Sequence, residues 1–183
     1  MKSKNLVKFV SAAVGVVVAM FFLVLLVAEP DNDTVARSPL LGQPAPAISS
    51  RTIDGESFVL ERRKGSWVVL NFFNSTCVPC INEHPLLVDF AEAESRKPDG
   101  AELYTIINDD SSESIRDFFA RNGGDWSKVT DDNGAIAVAF GVARVPETWI
   151  IDPNGVVRLR ITGELTEGLL GRQVEMLRED FTS

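Results

Sequence analysis

Cysteine and histidine are the scarce residues of this 183-residue chain, which holds two of the first and one of the second. A four-ligand zinc site built on thiolates and imidazoles would need more of both, so half of a metal site is a minor reading of the cysteines. No glycine-rich dinucleotide fingerprint, no P-loop and no C-x-x-C-H motif occurs, and no cofactor is expected. Basic residues are also short. Of the 18 present, Lys2, Lys4 and Lys8 precede residue 28 and all 26 acidic residues follow it, which leaves the remainder with a formal charge of −11. A domain of that charge does not seek nucleic acid or anionic lipid by electrostatics. Internal repeats and low-complexity tracts are absent as well.

What the chain has, first, is a run without charge. Phe9 to Ala28 comprises 20 such residues, among them Val16, Val17, Val18, Phe21, Phe22, Leu25 and Leu26, which matches the hydrocarbon thickness of a bilayer. The lysines before it, with no acid among them, keep the N-terminus cytoplasmic and send everything after Glu29 across the membrane. Residues 1–28 are therefore expected to form a transmembrane anchor. A signal peptide cleaved after Leu26-Val27-Ala28 is the alternative, and it exports the domain equally. From 29 to 46 the composition turns polar, with Pro30, Pro39, Pro44 and Pro46, as in an extended linker. Residues 47–183 are long enough for one domain with a real core.

Within that domain Asp54-Gly55 reads as a turn entering a short strand, and Trp67 to Phe73 as a central strand. Ile81, Leu86, Leu87, Phe90 and Ala91 recur near helical spacing, so a helix is expected from the cysteine pair to about Ser95, kinked at Pro85. A strand at Leu103 to Ile107 follows, then a helix from Ser112 to Arg121 capped by Ser111 or Ser112, and a short helix at Ala135 to Phe140. Strands Thr148–Ile151 and Val156–Ile161 flank the turn Asp152-Pro153-Asn154-Gly155, before a terminal helix from about Thr166. The hairpin demands antiparallel pairing and the earlier β-α-β segment parallel pairing, so a mixed central sheet with helices on both faces is expected. Phe72, Phe73, Trp67, Trp126 and Trp149 read as core.

The two cysteines are Cys77 and Cys80, in Cys77-Val78-Pro79-Cys80 directly after the central strand. Thiols at this spacing can cycle between dithiol and disulfide. At the first turn of a helix Cys77 meets unpaired N–H groups and the positive end of the macrodipole, which favour thiolate and make it the expected nucleophile. Cys80, one turn further in, would resolve the mixed disulfide. Pro79 removes one amide donor and stiffens the turn. A purely structural disulfide would close a tiny loop and stabilise little.

These motifs, with Leu41-Gly42-Gln43-Pro44-Ala45-Pro46, Glu83-His84-Pro85, Val145-Pro146-Glu147-Thr148 and Ile151-Asp152, run in order over some 140 residues. The chain from about Leu41 resembles the thioredoxin superfamily, specifically the membrane-tethered TlpA/ResA/DsbE (CcmG) group of thiol:disulfide oxidoreductases. The resemblance implies a thioredoxin-like α/β fold with a β-α insertion, here Leu103 to Arg121, after the active-site helix. It implies a cis proline at Pro146 beside the cysteines, with the Val145 backbone pairing with an incoming peptide. Glu83 falls on the face of Cys80, where the group carries an acid that tunes thiol ionisation and shuttles protons; a solvated helix acid is the other reading. His84 reads as a packing or specificity residue, and Glu147 as a groove residue or a strand cap. Asn71 stands where thioredoxins carry a buried acid, and an amide cannot move protons. Thr76 replaces the aromatic residue that usually precedes the first cysteine, altering the surface that meets the substrate.

The function expected is an exported protein-disulfide reductase on the periplasmic or extracytoplasmic side of the bacterial inner (cytoplasmic) membrane. Its partners would be disulfide-bearing proteins and a membrane thiol electron donor, which an oxidising compartment makes necessary. The resemblance points to the oxidised haem-attachment site of apocytochrome c, hence to cytochrome c maturation. Alternatives are a general extracytoplasmic reductase or isomerase, and a non-catalytic anchored binding module. A thiol peroxidase is disfavoured because the threonine and arginine arrangement of its peroxidatic cysteine is missing around Cys77.

Overall fold

Strand β3 (Val68–Phe73) carries β-branched and aromatic side chains, and all six of its residues are buried. A strand covered on both sides belongs in the middle of a sheet with layers above and below. The structure, a computed structural model, describes residues 14–21 and 35–182, and in it β3 is the third of five strands. Residues up to Asp33 and those from Thr34 onward form separate compact units. In the first, residues 14–21 are helical and exposed. The expected span of residues 9–28 otherwise lies outside the described residues, among which no helix is long and apolar enough to cross a membrane.

The second unit begins with a hairpin of β1 (Ser49–Arg51) and β2 (Ser57–Val59), joined through Asp54-Gly55. A short 3-10 turn, Leu60–Arg63, leads into β3. Helix α1 (Val78–Ser95) follows, then β4 (Glu102–Ile107), α2 (Ser112–Asn122) and β5 (Lys128–Thr130). After α3 (Ala135–Phe140) come β6 (Glu147–Ile151), β7 (Val157–Thr162) and α4 (Leu169–Thr182). The sheet order is β5-β4-β3-β6-β7, with β3, β4 and β5 parallel and β6 and β7 antiparallel to their neighbours.

This is the expected mixed sheet with helices on both faces. Val68, Leu70 and Phe72 pack with Trp149 and with Phe140 of α3, under Phe58 of the N-terminal hairpin and Ile48 just before it. On the opposite face Val69 and Ile150 meet Leu87 and Phe90 of α1 and Leu170 and Val174 of α4. Phe73 extends that face to Ile115, Phe118 and Phe119 of α2. The sequence-based expectation omitted β1 and β5, three residues each, too short for alternation to register. β4 and α2 cover the expected Leu103–Arg121 insertion, but β4 lies inside the sheet and β5 forms the edge. Part of the expected linker lies along β7: Ala36 donates to the Arg160 carbonyl, Gly42 to that of Val157, and Ala45 to that of Gly155.

Local chemistry places the ends of the elements. Ser111 Oγ accepts the N–H of Ser114 at 3.0 Å and caps α2. At the β6–β7 turn Asp152 Oδ1 accepts the N–H groups of Asn154 and Val156, both at 2.9 Å, while Gly155 takes the left-handed backbone (φ 81°) that the turn requires.

Candidate active site

Three residues, Asn74-Ser75-Thr76, carry the chain from the end of β3 to Cys77, the residue before α1. Asn74 organises them. Its Nδ2 donates to the carbonyls of Asn108 (3.0 Å) and Asp109 (2.9 Å) beyond β4, and its Oδ1 accepts from Thr76 N (2.8 Å) and Thr76 Oγ1 (2.7 Å). Ser75 adds a third tie, donating its N–H to Asp110 Oδ2 at 2.6 Å. Asparagine before a helix cap is a turn-forming residue, and that was the one local signal for Asn74. Its partners some 34 residues away had no signal of their own.

Cys77 is the N-cap of α1, with extended backbone, and Pro79 sits in the first turn, where its missing N–H leaves no donor unsatisfied. The Cys80 N–H points at Cys77 Sγ at 3.3 Å, the geometry that stabilises a thiolate there. The two cysteines are joined as a disulfide. Cys77 is half-buried and Cys80 fully buried, so an incoming sulfur reaches the first and not the second. Thr76, Val78 and Pro79 form the exposed rim.

The loop before β6 closes the other side. The Val145–Pro146 peptide bond is cis, and the Val145 carbonyl oxygen lies 3.7 Å from Cys77 Sγ. Gly163, after β7, donates to the Pro146 carbonyl at 3.0 Å. Sequence reasoning thus named both segments that flank the sulfur, and the fold brings them together across 68 residues.

Glu83 is not a solvated helix acid. Cys80, Glu83, His84 and Leu87 form the buried face of α1, and Glu83 is fully enclosed. Asn71 Nδ2 donates to its Oε1 and the Leu165 N–H to its Oε2, each at 2.8 Å. Burial pushes its pKa up to about 7, against the two donors that favour the carboxylate, and the nearby Glu164 adds to the rise. A carboxyl poised near neutrality, one helical turn from the resolving thiol, can take and return a proton. Asn71, read from sequence as the loss of an acid, holds the acid that α1 supplies. Thr148 of β6 joins the pair, accepting from Asn71 Nδ2 at 3.0 Å, and it escaped the sequence reading.

His84 points into the aromatic cluster of Phe73, Phe118, Phe119 and Trp126, and its Nε2 donates to the Gly123 carbonyl at 3.0 Å. Burial lowers its pKa. It packs α2 against α1 and is no base for Cys77. Glu147 neither shapes a groove nor caps a strand: it is buried, and Arg160 and Trp149 both donate to it. A cleft of about 630 Å³ lies at the far end of α1 among Glu94, Lys97 and Trp126 and includes none of the site residues. Among the described residues no cluster of His, Cys, Asp and Glu could hold a metal ion. The site is a face with one reachable sulfur.

Comparison with known proteins places the chain among thiol:disulfide proteins of one family. The AhpC/TSA family matches residues 41–160. The thiol:disulfide interchange protein HelX of Rhodobacter capsulatus is 31% identical over 154 residues, covering 82% of this chain and 84% of HelX. The thiol-disulfide oxidoreductase ResA of Bacillus subtilis is 27% identical over 142 residues, 78% of each chain. Among solved structures, the thioredoxin domain of a thiol-disulfide oxidoreductase from Bacteroides vulgatus superposes with a TM-score of 0.66 at 26% identity, covering 76% of this chain and 99% of that one.

Proposed function

We propose, from the premise that this chain belongs to the AhpC/TSA family, that it reduces disulfides of exported proteins through Cys77 and Cys80. At the coarser level it is a thiol:disulfide oxidoreductase of the HelX/ResA/DsbE type. The observation that carries the reading is the pairing of a half-buried sulfur at a helix N-cap with a fully buried partner, beside the Val145 backbone.

In the reduced protein the Cys77 thiolate attacks one sulfur of a client disulfide. A Cys77–client bond forms, and the client's other sulfur leaves as a thiolate that takes up a proton. Cys80 then gives its proton to Glu83 or to water and attacks Cys77 Sγ, which forms the Cys77–Cys80 disulfide and releases the second client thiol. Two electrons have passed to the client. A dithiol donor must return them by the reverse exchange, and in an oxidising compartment that donor is a membrane thiol carrier. Val145 and Pro146 would hold the client strand, and Thr76 and Pro79 would line its approach. The client class is a protein disulfide, with the haem-attachment cysteines of apocytochrome c as the specific candidate.

Residues 1–28 would anchor the domain in the bacterial cytoplasmic membrane with its catalytic face on the periplasmic side, and residues 29–46 would connect the two. The charge-free run and the lysines before it support that placement. Equilibration of the Cys77/Cys80 pair against thiol:disulfide buffers is the deciding experiment. A potential near about −270 mV is expected for a dedicated reductase, and one near about −120 mV would mark an oxidant and overturn the reading.

A further inference from the structure

Asn71 lies in the middle of β3 and is fully buried. Its Nδ2 faces Glu83 Oε1 (2.8 Å) and Thr148 Oγ1 (3.0 Å), while its Oδ1, equally buried, has no hydrogen-bond partner. A buried amide oxygen with nothing opposite it means that no third group fixes which way the amide points. Its orientation is set by Glu83 and Thr148 alone, and both can reverse their hydrogen-bonding sense. A hydroxyl donates or accepts. A carboxylate only accepts, whereas a carboxylic acid has one O–H to donate.

The other oxygen of Glu83 restricts where that proton can sit. Oε2 accepts the Leu165 N–H at 2.8 Å, and a backbone N–H cannot accept a proton in return. When Glu83 is neutral its O–H therefore belongs on Oε1, facing Asn71. With the amide as it stands two donors would then oppose each other. A half-turn about the last side-chain bond of Asn71 replaces Nδ2 by Oδ1, which accepts from the Glu83 O–H and from the Thr148 hydroxyl; the N–H groups then occupy the buried place where Oδ1 had no partner, a cost that the two new bonds offset. Aspartate at position 71 would put two carboxylates in direct contact, and leucine would serve neither state. An amide serves both.

We infer that Asn71 is the positioning residue of Glu83 in both of its proton states, turning its carboxamide as the acid gains or loses the proton of Cys80. The inference rests on the disulfide-exchange reading, in which Cys80 loses a proton as it attacks Cys77 Sγ. That proton adds to Glu83 Oε1 and the amide turns. It turns back when Glu83 gives the proton up, to solvent or to a departing thiolate. Around Glu83, Cys80 is the buried residue one turn back on α1 and the loop after β7 contributes Glu164, whereas Asn71 of β3 and Thr148 of β6 are neutral.

The test is nuclear magnetic resonance on the full chain, following the Asn71 carboxamide and the Glu83 carboxyl carbon from pH 5 to 9. The expected result is a single midpoint for both signals, with the coupling between Asn71 Nδ2 and Glu83 present above it and lost below. An Asn71 amide that stays unchanged through the Glu83 titration overturns the inference. In Asn71→Leu the carboxylate loses its charge-assisted donor, and the Glu83 midpoint should rise at least tenfold in proton affinity. Asn71→Ser, whose hydroxyl also donates or accepts, should recover part of the shift. An unmoved midpoint in folded Asn71→Leu also overturns it. Turnover of an oxidised C-x-x-C-H peptide, measured in parallel, separates the two readings: coupled titration without turnover rejects the function and keeps Asn71 with Glu83, and turnover without coupling does the reverse.

Discussion

Arg160 holds Glu147 by both carboxylate oxygens, Nε to Oε1 and the terminal nitrogen to Oε2, each at 2.9 Å. Glu147 follows the cis proline directly, and Arg160 lies on the adjacent strand β7 with its guanidinium 5.2 Å from the centre of the Trp149 ring. The pair therefore ties the start of β6, and with it the Val145–Pro146 loop, to the sheet. Arg160→Met leaves a buried carboxylate without its cation and should cost about 3 kcal/mol in urea unfolding. Arg160→Met combined with Glu147→Gln should recover a good part of that loss, since no charge is then left alone.

The stability of the protein should depend on pH through Glu83. Its pKa is raised by burial to about 7 in the folded chain from 4.5. Between those values the folded state binds more protons than the unfolded one, so stability falls as pH rises through that window and levels off above it. Glu83→Gln should flatten the curve, with a gain relative to wild type that grows from pH 5 to pH 8 up to the order of 3 kcal/mol. Chemical denaturation at four pH values measures it, and a curve parallel to wild type would show that Glu83 is not the group responsible.

The two cysteines should behave unequally. In the reduced protein iodoacetamide should modify half-buried Cys77 and spare fully buried Cys80. Cys80→Ser should accumulate a mixed disulfide with an oxidised client peptide, and Cys77→Ser should accumulate none. Mass spectrometry of the adducts separates these outcomes from a scheme in which Cys80 attacks first.

Asn74→Ala removes two donors and two acceptor contacts from the loop that presents Cys77. A loss of about 2 kcal/mol is expected, counted from net hydrogen bonds worth about 0.5 kcal/mol each on a partly exposed loop. Amide exchange at residues 75–77 should accelerate more than exchange in β3. Equal acceleration throughout would mean that the residue supports the whole fold rather than this loop.

Gly100 gives a steric prediction. A Cβ built there would stand 2.0 Å from the Glu94 carbonyl oxygen, where the chain turns from α1 into β4. Gly100→Ala should destabilise by about 3 kcal/mol or more, because the Glu94 atoms that the new Cβ would meet belong to backbone and cannot swing aside. Thermal unfolding checks it, and an unchanged midpoint would show that the turn yields.

Local chemistry made much of this legible. The β-rich run ending at Phe73, the cysteine pair at a helix start and the turn chemistry of Asp152 to Gly155 each act over a few residues, and β3, α1 and the β6–β7 hairpin stand where expected. What escaped is chemistry that exists only after folding. The spacing of Cys80 and Glu83 put them on one helix face, but nothing local said that the Leu165 N–H, 82 residues away, would satisfy that carboxylate. Asn71 read as an absence until β3 was laid against α1. Glu147 looked like a groove residue until the β6–β7 register set Arg160 against it.

The N-terminal chain meets both outer strands of the sheet. Val35 and Ala36 bridge to β7 at Ile161 and Arg160, and Thr52 and Ile53 bridge to β5 at Val129 and Lys128. Strand rims left bare invite any extended polypeptide to zip on. Here those rims are hemmed by the protein's own sequence. Under the proposed reading, an extended guest would find its backbone pairing at the short stretch around Val145, beside the one reachable sulfur, so that adhesion and chemistry would occur at the same place.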